Sequence, residues 1–503
     1  MKAILTILLT GCTYLVLAQD VRIFDYVKTG DDDDLFIIGG NEQGVFTGIG
    51  EDYYYNGINN KQVVSYYSLT DGLQESRVLK PEEKSRDYFY TFYFQNQLHT
   101  LLYEDEPNEE LLYPVYLETY GTDLNQVGET RQVSNLYPQI FTANVGSYFR
   151  SYFSTQFSKM RRSFFFNHAE SADGNKMMLL FNYNFFNDVT SDLQCMVFNE
   201  NMEEAWSGFI DLPDAGGNYQ MVESYELAND GTLYMLIASF GNDGFKKTAG
   251  DFEYFMYKYH PDQGEVETID IPTNNRFIIN LGMQLNQQQQ PVLAGIYANP
   301  ANNDLEGGLL IQDDQVIEHP FPAKDAKEIN QKDDKKYAEE YTVKHMHQEA
   351  DGSVVFFAES YKRGPVVKPK LSLSGFSPLD ADVELGDIYK KILAVKINPQ
   401  SDSWLRIIDK SQKSTEERDV YTSFALTYHN DTYHLIFNNA IKNSTDVSLV
   451  KITSSGDIDL ETLLDRKSYR LRLVPSFAKT IHAGYTVVPV QKQGKQALIS
   501  IKY

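Results

Sequence analysis

The stretch Asp351-Gly-Ser-Val-Val-Phe-Phe-Ala-Glu359, followed by Lys391-Ile-Leu-Ala-Val-Lys-Ile397 and then Trp404-Leu-Arg-Ile-Ile408, decides the fold class. A tight Asp-Gly turn launches an apolar run rich in β-branched and aromatic residues. A second such run and a third, wetter one follow. This is the signature of antiparallel strands in a meander. One such unit is too small to bury its own faces, so several must stack side by side to form a core.

Equivalent units recur along the chain. Strong runs that follow a turn begin at Leu98, Lys176, Thr232, Val292, Ser353 and Thr432, at irregular intervals that each hold four strands and a loop. The run from Leu233 to Ala238 is almost continuously apolar, as expected of a strand covered on both sides. The glutamines Gln287 to Gln290 occupy a hairpin connection. Open stacking would leave two apolar end faces, whereas a ring removes them and keeps only short edges. The expected fold is therefore an all-β propeller formed as a single domain over residues 19–503. Merging the first strands with those after Tyr469 gives seven blades, the favoured count, and leaving them separate gives eight. The alternative is two β domains divided near residue 140 or 330, but no Gly/Ser-rich or Pro/Thr-rich linker marks such a boundary.

Composition agrees with this class. Hydrophobic residues make up 42% of the 503 residues and aromatics 13%, with Tyr 35 and Phe 30 against Trp 2. That excludes a disordered chain. The formal net charge of −25 disfavours nucleic acid, whose phosphates this field repels. The basic pieces Lys159-Met-Arg-Arg162, Lys246-Lys247 and Tyr361-Lys-Arg363 are short and read as surface. The acidic run Asp31 to Asp34 reads as a solvated turn, since four adjacent carboxylates in an extended chain do not converge on one ion.

The N-terminus reads as an export signal. Met1-Lys2 precedes apolar residues to Leu17, and Ala18 offers a cleavage point, giving a signal peptide over residues 1–18. Leu9-Thr-Gly-Cys12 also matches a bacterial lipobox, which would place a lipid anchor on Cys12. No later apolar run is long enough for a membrane-spanning helix. The expected location is periplasmic, outer-membrane associated or extracellular. After cleavage at Ala18 only Cys195 remains, so no internal disulfide forms. Cys195 lies in a strand-like run and reads as a small buried hydrophobe.

Chemical signatures are sparse. No Gly-rich phosphate loop, Gly-x-Ser-x-Gly elbow or His-Glu-x-x-His helix occurs. His345 and His347 form the best metal-ligand pair, because strand alternation places both on one face with Glu349 continuing it. A solvated blade edge is the competing reading. Tyr53-Tyr-Tyr55 offers an aromatic platform for a glycan or peptide, or a cross-strand aromatic pairing. The interval Gly364 to Gly386 is the longest expected surface loop, and such loops on repeat scaffolds carry binding. The charged stretch 323–340 reads as a short helix or a loop. No catalytic residue, cofactor or metal site is assigned.

The sixth and seventh units resemble uncharacterised exported β-propeller-like proteins of Bacteroidetes-type bacteria. The resemblance rests on Asp351–Glu359, Asp387-Ile-Tyr with Ala394-Val-Lys-Ile397, Trp404 with Ile408-Asp-Lys-Ser-Gln412, and Asn430-Asp-Thr-Tyr-His-Leu-Ile-Phe-Asn438. It spans residues 337–456. It implies a propeller in the cell envelope and carries no catalytic residue across. The function expected is a noncatalytic binding or scaffold protein for a protein, peptide or glycan. The rivals are a polysaccharide-acting hydrolase or lyase and a structural part of an envelope assembly.

Overall fold

A computed structural model describes residues 20–28, 34–50, 62–104, 106–136, 166–182, 192–213, 218–241, 247–330, 340–368, 371–372, 375–376, 382–400, 402–414, 420–441, 445–482 and 484–503. Eight antiparallel sheets of four or more strands form the blades of a propeller. Blade 1 comprises Asp34–Gly40, Gly44–Gly50, Gln62–Ser68 and Gly72–Leu79. Blades 2 to 7 begin with Arg86–Phe94, Phe166–Glu170, Tyr219–Leu227, Phe277–Leu285, Glu340–Gln348 and Ala425–His429. The first strands lie side by side from blade 3 to blade 6, and from blade 7 through blades 8 and 1 to blade 2.

Blade 8 is composite. Lys479–His482, Tyr485–Lys492 and Lys495–Lys502 come from the C-terminal end, and Asp20–Ile23 adds the outermost strand. The N-terminal strand pairs as Asp20 with Lys502 through Ile23 with Ile499. The ring is therefore latched by the two ends of the chain. The expected merging of the ends is correct, but the favoured count of seven is not.

The miscount has a cause in blade 1. Its second strand, Gly44–Gly50, holds three glycines and lacks the apolar run that marks the equivalent strand elsewhere. A Cβ on Gly48 would lie 2.2 Å from the Phe36 ring, and one on Gly44 would lie 2.4 Å from the Tyr66 hydroxyl. The aromatic rings fill the space that side chains on this strand would have taken.

Burial follows the ring. Each pair of neighbouring blades encloses its own apolar core. Phe24, Leu35 and Val45 pack against Val487 and Leu498, joining blade 1 to blade 8. All residues of Leu233–Phe240 are buried, as a strand sandwiched between neighbours requires. Cys195 is buried in the core between blades 3 and 4, and burial pushes its thiol pKa up.

Two expectations about loops resolve differently. Where it is described, the interval Gly364–Gly386 is paired strand rather than loop. Strands Val354–Lys368 and Asp382–Ile397 stay paired from Lys362 with Ile388 to Lys368 with Asp382, extending blade 6 as a two-stranded ribbon. A register shift between Glu359 and Lys362 marks where the ribbon leaves the blade. The charged stretch forms a short helix, Ala323–Ile329, anchored by the buried Ile329.

Candidate functional site

Strand alternation puts the turn after each first strand on one face of the ring. These turns hold one another through polar contacts. Asn41 donates to Asn96 Oδ1 at 3.2 Å, joining blades 1 and 2, and Gln95 donates to the Gly174 carbonyl, joining blades 2 and 3. The Asp173 amide donates to Asn229 Oδ1 at 3.2 Å, and the Asn229 amide donates to Gln289 Oε1 at 2.9 Å. Tyr433 donates to Glu349 Oε1 at 2.8 Å. Lys479 Nζ donates to the Ile38 carbonyl at 2.7 Å, carrying the series from blade 8 back to blade 1.

The turns are preorganised for this. Asp173, Asp230 and Asp351 each accept an amide two residues ahead within their own turn. Gly174, Gly231 and Gly352 take positive φ, which their Asp-Gly sequences favour. In the glutamine turn, Asn286 Oδ1 accepts the amides of Gln288 and Gln290, both at 2.9 Å, confirming that this segment is a hairpin connection.

Inside this rim, blades 8, 1, 2 and 3 line an open cavity of about 380 Å3. Its wall includes Ile38, Gly39, Tyr93, Gln95, Asn96, His168, Glu170, Lys479, Thr480 and Ile481. Gly39 has a steric role here: a Cβ would stand 2.3 Å from Tyr93 Cβ, so only glycine lets blade 1 approach the tyrosine.

His168 and Glu170 alternate on one short strand, so they share a face. His168 Nε2 lies 3.4 Å from Glu170 Oε1, and its ring meets those of Tyr90 and Phe92 edge-on. Tyr93 donates to Asn96 Oδ1 at 3.1 Å, and burial pushes its phenol up to about 12. Burial pulls the Lys479 amine below the ordinary lysine range, while the Glu170 charge acts in the opposite direction. The mouth thus combines a cation, a carboxylate, an imidazole, amides and apolar walls. Such a set can orient a small polar ligand.

The residues singled out from sequence lie elsewhere. His345 and His347 share a face as expected, but it packs on blade 7 rather than forming a solvated edge. His345 meets the Phe424 ring at 5.1 Å, and His347 meets the Tyr428 ring at 4.2 Å. Burial lowers His345 to about 4. Glu349 accepts from Lys396 at 2.6 Å and from Ser353 at 3.0 Å as well as from Tyr433. No cluster of three or more metal-ligand side chains occurs among the described residues.

Lys247 is not a loose surface charge. It pairs with Glu223 at 3.2 Å and donates to the Tyr254 hydroxyl at 3.0 Å. Lys362 is buried. Tyr53–Tyr55, Lys159–Arg162, Asp31–Asp33, Lys246 and the signal region with Cys12 lie outside the described residues. No helix among the described residues is long and apolar enough to cross a membrane.

The residues that line the mouth carried no motif. Alternation of His168 and Glu170 was the available signal, but nothing in the sequence ties that strand to Lys479, which meets it only across the closed ring.

No family model matches the sequence, and no curated protein matches it. Solved structures of varied description are similar in outline. The WD40 domain of SCAP from fission yeast aligns at 8% identity over 97% of this chain and 98% of that one, with a TM-score of 0.43. Polysaccharide lyase Uly1 aligns at 8% identity over 96% and 99%, with a TM-score of 0.40. A protein of unknown function from Dyadobacter fermentans aligns at 10% identity over 67% and 93%, with a TM-score of 0.32. Likeness at this level carries no argument about activity; the eight-bladed ring rests on the strand pairing itself.

Proposed function

We propose that this chain is an exported, noncatalytic binding protein of the cell envelope that takes a glycan at the mouth described above. The supporting observation is the convergence of Lys479, Glu170, His168 and the Gln95–Asn96 amides from separate blades on one cavity. Amide and charged groups set among apolar walls suit sugar hydroxyls above and C–H faces below. The Tyr93 phenol donates to Asn96 and so helps fix the amide at the mouth rather than standing free. Export, by cleavage after Ala18 or by lipidation at Cys12, and kinship with Bacteroidetes-type envelope proteins belong to the same proposal.

Binding of the purified protein to an immobilised panel of glycans and peptides tests this. A His168→Ala, Asn96→Ala double variant is expected to lose glycan binding, with its melting temperature lowered only modestly because Asn96 also accepts from Asn41 and Tyr93. Retained binding in that variant would overturn the assignment of the mouth. Mass measurement of the mature N-terminus tests export: a chain beginning at Gln19 or a lipidated Cys12 supports it, and a retained Met1 rejects it.

One observation favours a second reading as a polysaccharide lyase or hydrolase. The His168 imidazole beside the Glu170 carboxylate is an arrangement that can serve a general base. Release of reducing ends or unsaturated products from polysaccharides, lost in His168→Ala, would replace the binding reading.

A further inference from the structure

The nature of the glycan can be taken a step further, resting on the mouth being a binding site. Lys479 carries three N–H donors. One goes to the Ile38 carbonyl, its one hydrogen-bond partner among the described residues. The adjacent carboxylate, Glu170, is turned toward His168. Lys479 is half-buried, and the cavity borders the side on which its two remaining N–H groups can find partners.

The neighbouring amides add direction. Asn96 uses its carbonyl oxygen for Asn41 and Tyr93, leaving its NH2 group as donor. Gln95 uses its NH2 group for Gly174, leaving its carbonyl as acceptor. A donor and an acceptor on adjacent residues match a pair of sugar hydroxyls. The volume of about 380 Å3 lies near the small end of ligand sites, roughly 300–1,000 Å3, and suits a sugar unit better than a folded partner.

We propose that the mouth recognises a sugar acid, with the ligand carboxylate on the Lys479 ammonium and ring hydroxyls on Asn96 and Gln95. The cation–carboxylate contact is charge-assisted, which makes it stronger than a neutral hydrogen bond.

Titration calorimetry of the mature protein with D-glucuronate, D-glucose and acetate tests this. Glucuronate is expected to bind at least tenfold more tightly than glucose, and acetate more weakly than glucuronate. Lys479→Met should bring glucuronate to the level of glucose, and Lys479→Arg should keep part of the preference. Equal binding of glucose and glucuronate by the wild-type protein would overturn the carboxylate assignment while leaving the mouth as a glycan site. Acetate binding as tightly as glucuronate would overturn the sugar part. Binding of none of the three would overturn this assignment. The glycan panel above then decides separately whether the mouth binds glycans at all. The wild-type comparison stands even if the Lys479 variants fold poorly.

Discussion

Replacing Lys410 with methionine should be among the most damaging single changes in the ring. Lys410 and Glu359 pair across blade 6 with both side chains at 0% exposure. Glu359 also accepts from Ser423 Oγ at 2.8 Å, and Lys410 donates to Gln412 Oε1 at 2.7 Å. Gln412 in turn donates to the Asn438 carbonyl at 2.7 Å, and Asn438 donates to the Leu473 carbonyl at 2.9 Å. The network thus runs through blades 6, 7 and 8. Lys410→Met leaves the Glu359 carboxylate buried with Ser423 as its remaining donor in this network. Breaking a buried pair from one side costs roughly 3–5 kcal/mol. Gln412 keeps the Ser423 amide at 3.0 Å, so the loss centres on Glu359. Adding Glu359→Leu removes the stranded charge and should recover most of that loss, to within about 1 kcal/mol of the parent. Denaturant unfolding of the parent, both single variants and the double variant gives the coupling energy. A Lys410→Met loss under about 1 kcal/mol, or a double variant no better than the single ones, would refute the reasoning.

Other outcomes follow from the same structure. Gly39→Ala places a methyl against Tyr93 and should destabilise the protein by about 1–3 kcal/mol while weakening ligand binding at the mouth, read by melting and calorimetry. His99 and His434 are buried, and burial lowers both to about 4. The unfolded chain takes up these protons near pH 6.5 and the folded one does not. Stability should therefore fall as pH drops from about 6.5 toward 4, by on the order of 3 kcal/mol per histidine at the low end; a flat urea midpoint across that window would contradict it. Cys195 in a Cys12→Ser chain should resist thiol reagents until the protein unfolds, because burial keeps its thiol protonated and covered. Deleting Asp20–Ile23 strips the outer strand from blade 8 along with the partly buried Val21 and Ile23. A loss of about 2–4 kcal/mol is expected, measurable as a lower melting temperature.

The fold was largely legible because its signal is local. Asp-Gly and Asn-Asp turns followed by apolar runs locate the second strands of blades 3, 4, 6 and 7, and the turns at Gln95-Asn96 and in the glutamine run locate those of blades 2 and 5. Blade 1 reads as strands but is assigned to the closing blade, because its second strand is glycine-rich, with Phe36 and Tyr66 over it, and lacks the strong apolar run that marks the other blades. The blade 6 ribbon escaped for the opposite reason: its prolines and glycines suggest a loop, yet the pairing continues past Pro365 opposite Leu385. The mouth was not legible at all. Lys479 and Glu170 are far apart in sequence, and they come together only through ring closure. His345 and His347 satisfied the alternation rule, but which face meets water depends on where blade 7 lands.

The strand that fastens the ring is made before the blades and used after them. Asp20–Ile23 leaves the ribosome before any blade exists, and its partner Ile499–Lys502 emerges only after the seven blades between them. Until then the earliest strand has no place to dock, and its pairing edge is open to the tail of another copy. Crowded synthesis should therefore yield clasped dimers in which two rings exchange their leading strands, and dilution during folding should favour the single ring.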